Sequence, residues 1–147
     1  MATAEQTWNW PIGAYLPESA WEVANKRKLF ITLHMVKDKA LADPENADYI
    51  CQMAQAYPDA TLILAHAARS FASWTAVESV ARFAKYDNVW FDFSGICESP
   101  AMFQILRKVG IENLMAVRQA CMLAELIPRE IENLFYDNAV ALFDRKG

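Results

Sequence analysis

The chain has 147 residues, 54% of them hydrophobic and 22% charged, which is typical of one globular domain with a sizeable core. A net charge of -4 and a pI near 5.2 argue against a nucleic-acid backbone or an anionic membrane as a partner. No uncharged run approaches the roughly 20 apolar residues of a membrane span, and three widely spaced cysteines favour a reduced, cytoplasmic protein.

The amino-terminal half of the chain predicts two helices and two strands. A helix is expected over 17–28, because apolar residues recur there at helical spacing. The apolar and β-branched run "LFITLHMV" (29–36) is typical of a strand. A second helix is predicted over 43–58, where Asp43 is suited to cap its start, and "ATLILAH" (60–66) forms the second strand.

A third helix and strand are predicted in the middle of the chain. The helix covers 73–86, with Ser73 as its cap. The residues expected on its buried side are Val77, Val80, Ala81 and Ala84. The strand "NVWFDFSG" (88–95) ends in Asp92 and Ser94, and Asp92 is a candidate metal ligand. The alternative is that Asp92 orients a neighbour or caps the following turn.

The pattern continues with a helix at 99–110, and a short strand begins at 111–115 before the helix-like "AVRQACMLAELI". A last helix is predicted over 128–143. Successive strands are roughly 24 to 32 residues apart, a spacing that suits right-handed crossovers and a parallel sheet. The predicted fold class is therefore α/β, as a single domain over 1–147.

The only two histidines of the chain, His34 and His66, each close a predicted strand. Ligands of parallel α/β folds bind at the carboxyl ends of the strands, and neighbouring strands lie about 4.8 Å apart. Two imidazoles at these ends can therefore face one cavity, where they suit metal binding or proton transfer. The alternative is that both are partly buried histidines bonded to nearby backbone.

Several segments together carry a family resemblance: "ITLHMV", "YPDATLILAHAARSF", "NVWFDFSG", "ILRKVGIENLM" and "IPREIENLFYDNAVALF". With these, the chain resembles the amidohydrolase superfamily, most closely the metal-dependent hydrolases and decarboxylases related to aminocarboxymuconate-semialdehyde decarboxylase. The resemblance runs from about residue 17 onward and corresponds to strands five to eight of a (β/α)₈ barrel. It therefore implies a partial TIM-type barrel of parallel strands alternating with helices.

The resemblance also implies roles for individual residues. His34 corresponds to a ligand of a divalent metal, commonly zinc, and His66 to the catalytic residue that orients water or moves a proton. Arg69 is a candidate for bidentate binding of a substrate carboxylate, with a solvated loop arginine as the alternative. The chemistry implied is metal-dependent hydrolysis or non-oxidative decarboxylation of a small carboxylated substrate.

The chain also departs from the family pattern. The His-x-His pair of the first barrel strand has no counterpart, and the Gly-Ser-Asp turn expected after Met115 is missing. Only His34 remains of the usual ligands, whereas a catalytic zinc needs about three protein ligands. Three explanations stay open: a truncated homologue, one piece of an enzyme completed by another chain, or a sequence that omits segments of a longer protein.

A half-barrel leaves two sheet edges and an open apolar face, which a closed barrel does not have. We therefore expect the chain to associate, either as a homo-oligomer or with a complementing chain. The alternative function is a non-catalytic interaction or structural protein that keeps the scaffold. Bound metal favours the enzyme, whereas metal-free association that persists without both histidines favours the scaffold.

Overall fold

The computed structural model describes residues 9–70, 72–95, 99–109, 114–115, 128–133 and 137–144. The strands are β1 (Phe30–Leu33), β2 (Thr61–Leu64), β3 (Val89–Asp92) and β4 (Leu114–Met115). The helices are α1 (Ile12–Tyr15), α2 (Glu18–Arg27), α3 (Pro44–Ala56), α4 (Trp74–Ser79), α5 (Ser99–Val109), α6 (Pro128–Glu132) and α7 (Asn138–Asp144). Two 3₁₀ helices cover Ala40–Ala42 and Val80–Phe83, and a separate helical turn covers His66–Arg69.

The four strands form one parallel sheet in the order β1-β2-β3-β4, with every neighbouring pair consecutive in the chain. Thr32 of β1 lies opposite Ile63 of β2, which lies opposite Trp90 of β3. Because helical segments separate the strands, the sheet grows by repeated β-α crossovers, as in one part of a (β/α)₈ barrel. The predicted α/β class is confirmed.

The hydrophobic core joins the strands to the helices that cover them. Leu62 and Leu64 of β2 and Phe91 of β3 have no exposed surface, and they belong to the same buried cluster as Trp21 of α2 and Ile50 of α3. Alternate strand residues therefore point into this core. The residues between them, such as Thr32 and Ile63, are more accessible.

Helix α3 begins as its sequence predicts. The Asp43 side chain accepts hydrogen bonds from the backbone N–H groups of Glu45 (3.1 Å) and Asn46 (3.3 Å), and Pro44 occupies the first helical position. These bonds satisfy donors that a helix start otherwise leaves without partners. The predicted cap at Asp43 is confirmed.

The prediction for 73–86 is wrong in three respects: the extent of the α-helix, most of its buried residues, and its cap. The α-helix ends at Ser79 and continues as a 3₁₀ helix, which has 3.0 rather than 3.6 residues per turn. The residues that are buried are Thr75, Ala76, Ser79, Val80 and Phe83, whereas Val77, Ala81 and Ala84 are exposed. Ser73 makes no side-chain cap bond in its own helix; its hydroxyl accepts from the N–H of Ala101 in α5, at 3.2 Å.

The later predictions fall partly outside the described residues. Of the predicted strand 111–115, only Leu114–Met115 is described, and the segment 116–127 is not. The predicted helix 128–143 is described as α6 and α7, without 134–136. In the part of the chain that the structure describes, no helix combines the length and the apolar character needed to cross a bilayer.

Candidate active site

The two histidines come together at the carboxyl edge of the sheet. His34 directly follows the last residue of β1, and His66 follows β2 after one intervening residue. Their ring centroids are 5.1 Å apart and their planes meet at 78°, so one ring faces the other with its edge. His34 is exposed and His66 is half-buried. The structure therefore places both imidazoles in one accessible group, as the sequence predicts.

His66 opens a turn with an unusual backbone. All four residues from His66 to Arg69 have positive φ, with values of 54°, 47°, 62° and 60°. This left-handed turn contains no glycine, and each residue in this conformation costs roughly 1–2 kcal/mol. The amide of Arg69 donates to the Ala65 carbonyl (3.0 Å) and that of Ser70 to the His66 carbonyl (2.9 Å), which closes the turn.

Strain of this kind persists only where the surrounding structure enforces it, and it concentrates at functional sites. Ala67 and Ala68, in the middle of the turn, have no exposed surface, so the turn is packed into the protein rather than looped out. The Ser70 hydroxyl adds a bond to the Ala67 carbonyl, at 2.6 Å. The fold thus holds His66 in a costly conformation at the mouth of the sheet.

Ser94, two residues past the end of β3, contacts His66 directly. The Nδ1 atom of His66 lies 2.7 Å from the carbonyl oxygen of Ser94 and 3.1 Å from its hydroxyl oxygen. The Ser94 hydroxyl donates to Oδ2 of Asp92, and the Ser94 amide donates to Oδ1 of the same carboxylate, at 2.9 Å. Of the two roles considered for Asp92, these bonds favour orienting a neighbour and capping the turn over binding a metal.

Arg69 fastens the loop that follows His34. Its Nη1 group donates to the carbonyl oxygens of Val36 (3.0 Å) and Lys37 (2.7 Å), and it lies 3.9 Å from the Asp38 carboxylate. The Arg69 side chain is 20% exposed, so it is not the freely solvated loop arginine considered as the alternative. It joins the loops that carry the two histidines, while its role toward a substrate carboxylate stays a prediction.

Lys37 belongs to a separate ion-pair group at the start of α3. Its ammonium lies 3.3 Å from the Asp43 carboxylate and also forms a hydrogen bond with Glu45. The bond to Glu45 is the main reason that the pKa of Lys37 is raised above its ordinary value. Lys37 therefore anchors the loop to the helix, and this contact keeps the segment after His34 in place.

A cavity of about 500 Å³ opens at the opposite, amino-terminal end of the strands. Its lining includes Lys28 before β1, Thr61 at the start of β2 and Asn88 before β3, and it includes neither histidine. The Asn88 amide donates to three backbone carbonyls there. In barrels of this type the amino-terminal end serves stability, whereas chemistry takes place at the carboxyl end.

The sequence profile of the amidohydrolase family matches residues 3–127. The chain belongs to the amidohydrolase family. The match begins before the resemblance identified from about residue 17 and stops before α6. It covers both histidines, Arg69, Asp92 and Ser94. A comparison with curated proteins gives no significant match.

Solved structures with a similar fold show how much of a complete barrel this amidohydrolase chain covers. Amidohydrolase 2 from Bifidobacterium longum subsp. infantis is 14% identical, with a TM-score of 0.62, over 87% of this chain and 55% of that one. A TIM-barrel protein from Bordetella bronchiseptica is 11% identical, with a TM-score of 0.59, over 88% and 50%. A 2,6-dihydroxybenzoate decarboxylase, solved with 2,6-dihydroxybenzoate, is 12% identical, with a TM-score of 0.55, over 87% and 55%. The chain spans about half the length of these structures, so it has the fold of part of a TIM barrel.

The described residues do not complete a metal site. Among them, no group of three or more His, Cys, Asp or Glu side chains converges in a way that could hold an ion. His34 and His66 are two imidazole donors, and a catalytic zinc takes about three protein ligands. The described half-barrel therefore supplies part of a coordination sphere at most.

Proposed function

We propose that this chain is the carboxyl-terminal half of an amidohydrolase-type catalytic barrel, whose complete site hydrolyses or decarboxylates a small carboxylated substrate. The observation that carries the proposal is the approach of the only two histidines to 5.1 Å at the carboxyl edge of the sheet. The structural alternative, a partly buried histidine bonded to nearby backbone, describes His66, whereas His34 is exposed and so has no part in filling the core. Membership of the amidohydrolase family supports the class of chemistry.

The two histidines have different proposed roles. His34 is exposed directly after β1, and we assign it as the ligand that this chain offers to a divalent metal, with zinc as the expected ion. His66 is half-buried and hydrogen-bonded through Nδ1, so its ring is held and its Nε2 atom is suited to moving a proton. Arg69, three residues on, is proposed to contact the substrate carboxylate.

A carboxylated substrate is proposed because of the decarboxylase among the similar structures. That protein was solved with 2,6-dihydroxybenzoate, a small aromatic carboxylate, and it shares the fold of this chain over 55% of its own length. The Arg69 guanidinium, which bonds to the loop after His34, is a cation that suits such an anion. Both hydrolysis and decarboxylation fit this arrangement.

The remaining parts of the site are proposed to come from outside the described half-barrel. β1 and β4 are the outer strands of the described sheet, and an open sheet of this kind is stabilised when its edges and face are covered. We propose that a second copy or a complementing chain provides this cover and the missing ligands. A cytoplasmic location is part of the proposal, on the grounds of the three widely spaced cysteines.

Metal analysis of the purified, dialysed chain tests the proposal. We expect about one zinc or similar divalent ion per chain, as a catalytic site requires, and we expect His34→Ala to abolish its retention. Thr32→Ala is the matched control, because Thr32 is also exposed, lies two residues earlier on the same face of β1, and offers no imidazole. Metal lost equally in both variants would contradict the assignment of His34.

A second function, a non-catalytic scaffold, is favoured by one specific observation. The described residues contain no group of three metal-binding side chains, as expected if the histidines are remnants of a lost site. In that case the chain folds and associates without metal, and replacing both histidines by alanine leaves its oligomeric state unchanged. Sedimentation of the double variant, with and without zinc, distinguishes the two functions.

A further inference from the structure

Three residues from two strand ends form a connected hydrogen-bond chain. Asp92, at the end of β3, holds Ser94 by two bonds, one to the Ser94 amide and one to the Ser94 hydroxyl. Ser94 in turn faces His66 with both its carbonyl and its hydroxyl oxygen, at 2.7 and 3.1 Å from Nδ1. These bonds connect the segment after β3 to the turn after β2. They are therefore not confined to a single turn.

The chemistry of these groups fixes the direction of each hydrogen bond. A backbone carbonyl only accepts, so Nδ1 of His66 must carry the hydrogen that it donates to Ser94. A carboxylate also only accepts, so the Ser94 hydroxyl gives its hydrogen to Asp92 and turns a lone pair toward Nδ1. Both oxygens of Ser94 therefore accept from the same N–H group, and whenever the ring is neutral the lone pair is on Nε2.

We propose that Asp92, acting through Ser94, is a positioning residue that holds neutral His66 in the Nδ1–H tautomer. The consequence for catalysis rests on the proposed function: with Nδ1 protonated, Nε2 is the atom that accepts a proton or meets a metal. Without the carboxylate, the Ser94 hydroxyl is released to donate. The hydroxyl would then donate to Nδ1. Because Nδ1 can accept only when it carries no hydrogen, this bond favours the Nε2–H tautomer.

The nitrogen-15 NMR spectrum of histidine-labelled, metal-free protein at mildly alkaline pH tests the tautomer directly. With only two histidines, His34→Gln assigns the signals of His66. We expect protonated Nδ1 and unprotonated Nε2 in the wild type. In Asp92→Asn, the amide nitrogen donates to the Ser94 oxygen and frees the hydroxyl hydrogen. We expect the ratio of Nε2–H to Nδ1–H tautomer to rise roughly three- to tenfold, the size of one net hydrogen bond.

Two further variants separate this relay from a merely structural role. Ser94→Ala keeps the backbone carbonyl, so His66 should stay in the Nδ1–H form. Asp92→Asn combined with Ser94→Ala should return to the Nδ1–H form, because no hydroxyl remains to donate. If Asp92 only braces the turn, the double variant should resemble Asp92→Asn, which would overturn the proposal. A wild-type His66 in the Nε2–H form would overturn it as well.

The same experiment distinguishes failure of this inference from failure of the proposed function. The tautomer is measured without metal or substrate, so it does not depend on a complete active site. A chain that retains no metal but shows the predicted tautomer pattern keeps the positioning role of Asp92 and loses the enzymatic one. A chain that retains metal through His34 but shows no effect of Asp92→Asn keeps the enzymatic role and loses the positioning role of Asp92.

Discussion

Replacing Ala68 by glycine tests whether the left-handed turn at His66–Arg69 stores backbone strain. Ala68 has φ 62° and ψ 42° and no exposed surface. The conformation costs an alanine roughly 1–2 kcal/mol, a cost that glycine avoids. Two losses oppose this gain. The substitution removes one buried methyl group, which costs about 0.8 kcal/mol, and it raises the entropy of the unfolded chain, which costs about 0.5–1 kcal/mol. These contributions nearly cancel, so the free energy of unfolding should change by less than about 1 kcal/mol.

Ala54→Gly is the matched control. Ala54 is 2% exposed, so the substitution removes an equally buried methyl group, but it lies inside the right-handed helix α3. There glycine relieves no strain and weakens the helix by about 1 kcal/mol. Together with the lost methyl, about 0.8 kcal/mol, the control should lose nearly 2 kcal/mol of stability.

Urea unfolding of both variants at one protein concentration measures the difference in their free energies of unfolding. A shift of the urea midpoint without a change in the slope of free energy against urea reports a change in stability alone. A fixed concentration matters, since association would itself stabilise the folded chain. We expect Ala54→Gly to be clearly less stable than Ala68→Gly. Equal losses in the two variants would refute the reasoning, because they would mean that the turn around His66 carries no strain that glycine can relieve.

Three further predictions concern the supports of the half-barrel. Asp43→Ala should lower the free energy of unfolding by about 1 kcal/mol, because α3 loses its cap. Asn88→Ala should cost about 2 kcal/mol in the same urea assay, because its amide donates to three carbonyls; a loss smaller than that of Asp43→Ala would contradict this. The hydrogen bond to Glu18 raises the pKa of Tyr57 from 10.0 to about 12. The stabilisation of the folded chain by this hydrogen bond is therefore complete below pH 10, and it is lost as the pH rises toward 12. Glu18→Ala should move the tyrosinate absorbance transition back toward its ordinary range, and an unmoved transition would show that the bond is not the cause.

The strand order and the meeting of the two histidines follow from the sequence because they depend on short, strong patterns. Apolar runs of the right length predict strands, and a histidine at the end of each run is carried to the same edge by the parallel crossovers. The cap at Asp43 is likewise local, since an aspartate before Pro44 satisfies the helix start whatever packs around it.

The left-handed turn cannot be predicted from the sequence, because its residue types are not those that usually adopt a positive φ. Glycine or asparagine usually marks a positive φ, whereas Ala67, Ala68 and Arg69 favour a right-handed helix in isolation. Packing of the turn and hydrogen bonds made by Arg69 and Ser70 hold this conformation. The buried face of 73–86 is missed because the α-helix turns the polar residues Thr75 and Ser79 inward, which apolar periodicity does not predict.

The link from Asp92 through Ser94 to His66 is also invisible in the sequence. The segment "FDFSG" predicts a capped turn, and the structure contains that turn. The partner, however, lies 28 positions earlier and reaches Ser94 only after the sheet is assembled. Contacts of this kind depend on register between strands, which no local pattern specifies.

The central claim is that His34 and His66 form one site, and proton NMR of the full chain tests it most directly. Because the protein has only two histidines, a nuclear Overhauser effect between two imidazole rings has a single assignment. A ring separation of 5.1 Å in an edge-to-face arrangement predicts a cross-peak between them, which disappears in His34→Ala. A folded chain with two sharp imidazole signals and no cross-peak would contradict the site.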